Sequence, residues 1–363
     1  MTLKHPDRIE DVTADWMTWA LREGGVCREA SVTEVEITSI CGGGTGYLSG
    51  IARVLLEYDR EEQEFPRSVV IKLPTVDALG REFADSWNLY EREVRFYREI
   101  APRSPIRTPR CYFSLLDTET QEYILIIEDV SSCTFGDQVK GLAPEQAVAA
   151  IQSIGTFHAH WWNSPALPDL EWMPEENLDV LHLFAQNWPE FRHQFYDSMT
   201  DAERVLGDRL NWQGDRLAEL NAQAPSTIAH SDFRADNLVF DESSSGQSVI
   251  VLDWQAARRN SGAFDVARLV SGSVQSEYQA GRHRDFVRVW HDQIIANGIE
   301  GYSRDQAWRD YQAALLSCLY IPVAFHHHLS SEGGRGSELA RAISARFFKA
   351  AVECEAAAVL DEP

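Results

Sequence analysis

The chain reads as an α+β fold in two parts, a strand-rich first third followed by a helical remainder. Three observations predict it. Five apolar runs with strand character occur before residue 131. One long helical pattern lies between the third and fourth of them. Beyond residue 131 the apolar spacing is helical, with only short strand-like runs near 227–229, 238–241 and 249–252. The expected parts are 1–130, a five-stranded antiparallel sheet with a packed helix and a leading helix, and 131–363, larger and mainly helical.

Taken in order, residues 9–23 space Ile9, Val12, Trp16, Trp19, Ala20 and Leu21 as a helix that Gly24-Gly25 ends. Val32–Ile40 alternates like a half-buried strand. A glycine-dense turn at 41–46 precedes a second strand, Ile51–Tyr58, and Pro66 leads into a third, Ser68–Leu73. Ala84–Ile100 is helical, with Trp87, Tyr90, Val94 and Tyr97 on one face. Strands follow around Arg110–Leu116 and Tyr123–Val130. Helical patterns then cover Ala143–Trp162, Val180–Leu206, Gly207–Gln223, Arg282–Asn297, Arg304–Leu319 and Ser337–Val359. The tract Ser243–Gly246 is a hairpin turn, and no internal repeat is present.

Composition bounds the function. Among 363 residues, Lys+Arg 33 against Asp+Glu 56 leaves a net charge of −23 and no basic block. That balance argues against nucleic-acid binding and against docking on anionic lipid. The start lacks a signal-peptide h-region, and the longest apolar stretch, Ala313–Phe325, is too short to span a bilayer. Six cysteines without a Cys-x-x-Cys pair read as buried thiols of a cytoplasmic protein.

The chemistry concentrates in one segment. His230-Ser231-Asp232-Phe233-Arg234-Ala235-Asp236-Asn237 sits in a loop before a short strand; after the turn, Val249–Leu252 forms another strand that delivers Asp253. A hairpin that gathers Asp232, Asn237 and Asp253 offers a candidate base and two oxygen ligands for a hard divalent cation such as Mg2+.

These residues resemble the catalytic and metal-binding loops of the protein-kinase-like fold. With Asp253-Trp254-Gln255 in place of Asp-Phe-Gly, the chain is similar to the aminoglycoside phosphotransferase and choline kinase superfamily. The Gly262–Ala267 stretch looks most like its ecdysteroid-kinase-like branch and bacterial relatives. The resemblance implies a bilobal fold and ATP- and Mg2+-dependent phosphorylation of a small-molecule hydroxyl. Asp232 would be the base, Arg234 would meet the transferred group, and Asn237 and Asp253 would hold the metal. Lys72 would grip the nucleotide phosphates, paired with Glu93. Gly43, Gly44, Thr45 and Gly46 would cradle them, and the backbone of the Leu125–Val130 hinge, with Glu128 and Val130, would read the adenine. Ser231 departs from the family's usual glycine, a change of little cost unless the backbone there is left-handed.

Some features are more simply structural. His326-His327-His328 cannot all face one ion from a helix. His158 and His160 read as packing beneath the hairpin, His230 as a loop-orienting group, Asp265 as an acceptor for the loop, and Asp236 as solvated. The acidic residues between Asp169 and Asp179 read as a solvated face. Abundant aromatics beyond residue 130 fit an apolar acceptor, such as a sterol-like alcohol or hydroxyacyl compound, but fit a core equally well. An aminoglycoside or choline-type acceptor, or a catalytically weak nucleotide-binding module, are the alternatives.

Overall fold

The structure, a computed structural model, describes residues 5–40, 49–60, 65–119, 122–175, 179–242, 248–324 and 335–361. It divides into two compact units. The first comprises Met1–Ser104, Thr108–Cys133 and the short segment Leu252–Ala256; the second holds Pro105–Arg107, Thr134–Val251 and Ala257–Pro363. No helix among the described residues is long and apolar enough to cross a membrane.

In the first unit, α1 (Ala14–Glu23) begins later than its apolar pattern, because the Thr13 side chain caps it by accepting from the Trp16 amide at 3.2 Å. Ile9–Asp11 is a separate tight turn. Trp16, Met17 and Leu21 are buried against the sheet core, a gain of roughly 2 kcal/mol apiece. Only glycine fits at the end of α1: a Cβ on Gly24 would stand 1.7 Å from the Tyr112 carbonyl oxygen. The sheet is antiparallel throughout, with β1 (Val32–Ser39), β2 (Ser49–Tyr58), β3 (Ser68–Pro74), β4 (Cys111–Asp117) and β5 (Glu122–Glu128) in the order β1-β2-β3-β5-β4. Strand alternation puts Val69, Ile71 and Leu73 into the core and leaves Lys72 for the other face.

The single helix expected over Ala84–Ile100 is instead α2 (Ala78–Ser86) and α3 (Leu89–Arg95), the latter continuing into a wider π-type turn, Phe96–Ile100. Asn88, at φ 51°, breaks the run; asparagine is among the few residues that accept this conformation cheaply. The turn carries Phe96 onto Trp254, ring on ring at 4.0 Å and 7°. Arg92 donates to the Trp87 carbonyl at 2.6 Å and to that of Ala256 at 3.5 Å, so α3 holds Leu252–Ala256 at a second point.

In the second unit a short strand β6 (Thr134–Phe135) leads to α4 (Pro144–Trp161). The expected helix over Val180–Leu206 is two, α5 (Asp179–Gln194) and α6 (Asp201–Trp212), followed by α7 (Gly214–Gln223). A capping box of Thr200 and Glu203 starts α6 and explains the break. Next come β7 (Ser226–Ala229), β8 (Leu238–Asp241), β9 (Ser248–Val251) and β10 (Arg258–Ser261). β7 pairs with β10, and β8 lies between β6 and β9. The helices α8 (Ala263–Ser273), α9 (Ser276–Gln279), α10 (His283–Ala296), α11 (Arg304–Cys318), α12 (Tyr320–Ala324) and α13 (Arg335–Glu353) complete the unit. Its aromatics are largely core: Trp161, Trp188, Trp290, Phe184 and Phe191 are buried. That outcome removes aromatic content as an argument for an apolar acceptor.

Candidate active site

In the first unit Lys72 stands in register between Ile51 of β2 and Leu125 of β5. Its Nζ donates to Glu93 Oε1 at 2.6 Å and to Asp253 Oδ1 at 2.9 Å. Glu93 arrives on α3, which is tied to the sheet by Tyr90. The Tyr90 ring stacks on Tyr123 at 4.4 Å, and its hydroxyl accepts from the Thr75 amide. Asp253 arrives on the segment that Trp254 anchors, with its backbone at φ 60°.

Burial works against the Lys72 ammonium, but the carboxylates of Asp253 and Glu93 outweigh it and hold the lysine well above its usual range. Burial pushes Glu93 up to about 6, Lys72 opposing and Asp253 adding to the rise. One ammonium faces two carboxylates, so the trio is one positive charge short. Asp253 is the more open of the two acids, its side chain 23% exposed against 1% for Glu93. An oxygen donor with excess negative charge and access to solvent suits a hard cation that completes its shell with water and phosphate.

The hinge residues are also placed. Glu128 ends β5 and its carboxylate accepts from the Arg110 amide at 3.0 Å, while Val130 is buried. Between them Asp129 accepts from Ser68 at 2.5 Å and pairs with Arg53 at 3.0 Å, fixing the strand exit. Gly43, Gly44, Thr45 and Gly46 lie outside the described residues, as do His326, His327 and His328.

In the second unit the loop after β7 is held from below by one carboxylate. Asp265 Oδ2 accepts from the His230 amide at 2.7 Å and Oδ1 from the Ser231 amide at 2.8 Å. Trp290 donates to His158 Nδ1 at 3.1 Å, so His158 carries its proton on Nε2 and donates it to Asp265, also at 3.1 Å. His158, Asp265 and His230 are fully buried. Ser231 is left-handed, φ 66°, so serine here bears the strain that glycine would avoid, and its buried hydroxyl has no partner among the described residues.

Asp232 emerges from this loop with both carboxylate oxygens hydrogen-bonded and the side chain still partly exposed. Oδ1 accepts from Arg268 at 2.8 Å; Oδ2 accepts from Arg234 Nε and Asn237 Nδ2, each at 3.0 Å. Burial tends to raise its pKa, but the two guanidiniums prevail and hold the carboxyl well below the usual carboxylate range. Asn237 also donates to the Asp232 carbonyl at 2.9 Å, which leaves the amide oxygen as the atom to offer a cation. Asp236, expected to be solvated, instead accepts from Arg234 at 2.8 Å and from the Gln138 amide at 2.9 Å. Arg268 was not among the expected residues. The Gly262–Ala267 stretch stops one residue before it, and its place three residues after Asp265, on the same side of α8, is the signal that points to it.

Each unit thus presents a set of charged side chains fixed by its own elements, and comparisons with known proteins place the chain in a family. Residues 80–313 match the family model described as APH, the phosphotransferase enzyme family, and the chain belongs to that family. The fold is that of solved kinases of small molecules. It is similar to choline kinase from Cryptosporidium parvum Iowa II, at TM-score 0.56 and 11% identity, covering 89% of this chain and 90% of that one. It is similar to APH(2")-IIia in complex with GDP and kanamycin, at TM-score 0.55 and 12% identity over 91% and 97% of the two chains. Amicoumacin kinase in complex with AMP-PNP and Ca2+ gives TM-score 0.51 and 13% identity over 88% of each. No curated protein matches the chain.

Proposed function

We propose that the chain transfers the γ-phosphoryl group of ATP to a hydroxyl of a small molecule, with Mg2+. The observation that carries this reading is Lys72 held between Glu93 and Asp253. A buried ammonium braced by two carboxylates on rigid elements is a fixed point charge for nucleotide phosphates. The Gly43–Gly46 turn would add backbone N–H donors, and the backbone around Glu128 and Val130 would receive the base.

Asp253 and Asn237 would hold Mg2+ through oxygen. When bound, the metal would neutralise phosphate oxygens as charge shifts during transfer. Asp232 would accept a hydrogen bond from the acceptor hydroxyl and orient it. Its two guanidiniums keep it ionised and weakly basic, which suits a loose transition state that demands positioning more than proton abstraction. Arg234 would steady the transferred group. The bond from γ-phosphorus to the bridging oxygen breaks, one to the acceptor oxygen forms, ADP leaves, and the hydroxyl proton passes through Asp232 to water.

The test is an ATP-dependent screen with product detection by phosphorus NMR. Its panel comprises hydroxy acids, hydroxyacyl thioesters, sterol alcohols, choline and kanamycin, the last two because the names of similar structures include them. A new phosphate monoester from one of these classes is expected; nucleotide hydrolysis alone, with no ester formed, would defeat the reading.

A further inference from the structure

A cavity of about 520 Å3 opens in the second unit, walled by Arg258, Asn260, Ser261, Phe264, Ser317 and Tyr320. That volume is in the range for a small-molecule pocket. Arg258 and Asn260 lie two residues apart on β10 and therefore on one face of the strand. Both are more than nine-tenths buried. The Arg258 Nε has no partner, and the arginine side chain makes no hydrogen bond or ion pair with any described residue. Asn260 spends its oxygen on the Ser261 amide at 2.6 Å, while its Nδ2 has no partner.

The other charges of the wall are already matched. Arg259 pairs with Glu175 at 3.3 Å and donates to the Met173 carbonyl, and Glu219 pairs with Arg216 at 3.0 Å. What is left over among the described residues is one buried guanidinium and one amide donor lining the same cavity. A buried cation without a counter-charge is a cost of several kcal/mol to the fold, and a ligand oxyanion would offset it.

The cavity also lies beside the candidate base. Arg258 is in register with Ala229, the residue before the His230 loop. Phe264 on the cavity wall is one helical turn from Arg268, whose guanidinium bonds Asp232.

We propose that this cavity receives the body of the phosphoryl acceptor and that the acceptor is a hydroxylated carboxylic acid, its carboxylate taken by Arg258 and Asn260. The proposal rests on the phosphotransferase reading above and narrows its substrate class. A carboxylate matches both donors: the guanidinium fork takes it through parallel bonds, and the amide adds a third. A cationic acceptor would meet the unpaired Arg258 and be repelled.

The experiment titrates the full chain with β-hydroxy acids from hydroxybutyrate to hydroxydodecanoate and with the methyl ester of each. Wild type, Arg258→Met and Asn260→Asp are compared, and ATP with Mg2+ is titrated in parallel. At least one acid should bind wild type about tenfold or more tightly than its ester. Arg258→Met should erase that preference, and Asn260→Asp, which sets a carboxylate where the donor was, should erase or reverse it. Arg258→Met should melt no lower than wild type, since it removes an unpaired buried charge. Esters binding as well as acids across the series, or a preference that survives Arg258→Met, would overturn the proposal. Phosphoryl transfer with carboxylate-blind binding would remove the acid site and leave the kinase reading. Carboxylate selectivity through Arg258 without any ATP-dependent transfer would remove the kinase reading instead.

Discussion

Ser231 shows how one residue can carry a cost for the site it supports. At φ 66° its Cβ crowds the backbone, an expense of about 1 kcal/mol, and its hydroxyl is buried without a partner among the described residues. Ser231→Gly is expected to raise stability by up to about 1 kcal/mol in chemical denaturation. An unchanged or lower midpoint would mean that the serine contributes something the strain does not reveal. Asp232 gives the complementary case. Its carboxylate is set by Arg234, Asn237 and Arg268, all of the second unit, whereas Lys72 and Glu93 belong to the first. Asp232→Asn should therefore leave nucleotide affinity within a few-fold while turnover falls by about 10² or more. Lost nucleotide affinity in that variant would reassign the residue. The grouping of Asp232, Arg234 and Asn237 was legible in the sequence because these residues are close together along the chain. Arg268, Arg258 and Asn260 were not, because their meaning depends on partners, or the lack of them, supplied by other elements.

Helices and strands place these groups, and the packing leaves little slack. Gly262 opens α8 with the His158 ring against it; an added Cβ would stand 2.6 Å from His158 Nδ1. Gly262→Ala should push His158 away from Asp265, lowering stability by roughly 1–3 kcal/mol and slackening the loop that holds Asp232. A variant with wild-type melting and turnover would show that the ring can yield. Further along, His283 on α10 meets the Tyr311 hydroxyl of α11 at 2.8 Å. Burial drives its pKa down to about 4. A histidine depressed in the fold contributes stability that is fully present above its unfolded value near 6.5 and is lost as pH falls towards 4. The loss should reach about 3 kcal/mol over that window and largely vanish in His283→Gln, measured by denaturation against pH. A slope unchanged by the substitution would place the titrating group elsewhere. Element types were legible from period alone, but ends and breaks were not. Asn88 and the Thr200–Glu203 box are local devices that a continuing apolar pattern conceals.

For the whole chain, membership of the phosphotransferase family and two units each holding part of a residue set frame the function. The net charge of −23 adds repulsion between the protein and free nucleotide, so on the proposed reading nucleotide capture would depend on local cations, Lys72 and a metal ion held by Asp253. This makes Mg2+-dependent ATP binding the central claim. Isothermal titration of the full chain with ATP in Mg2+ should show saturable binding. In a thermal scan, ATP at 100-fold over Kd should stabilise the fold by about 2.7 kcal/mol. Asp253→Ala should remove the Mg2+-dependent part of that binding, because it deletes the one open carboxylate beside Lys72. Saturable binding that requires both Mg2+ and Asp253 is the expected result; no nucleotide binding with Mg2+ present would contradict the phosphotransferase reading of this chain.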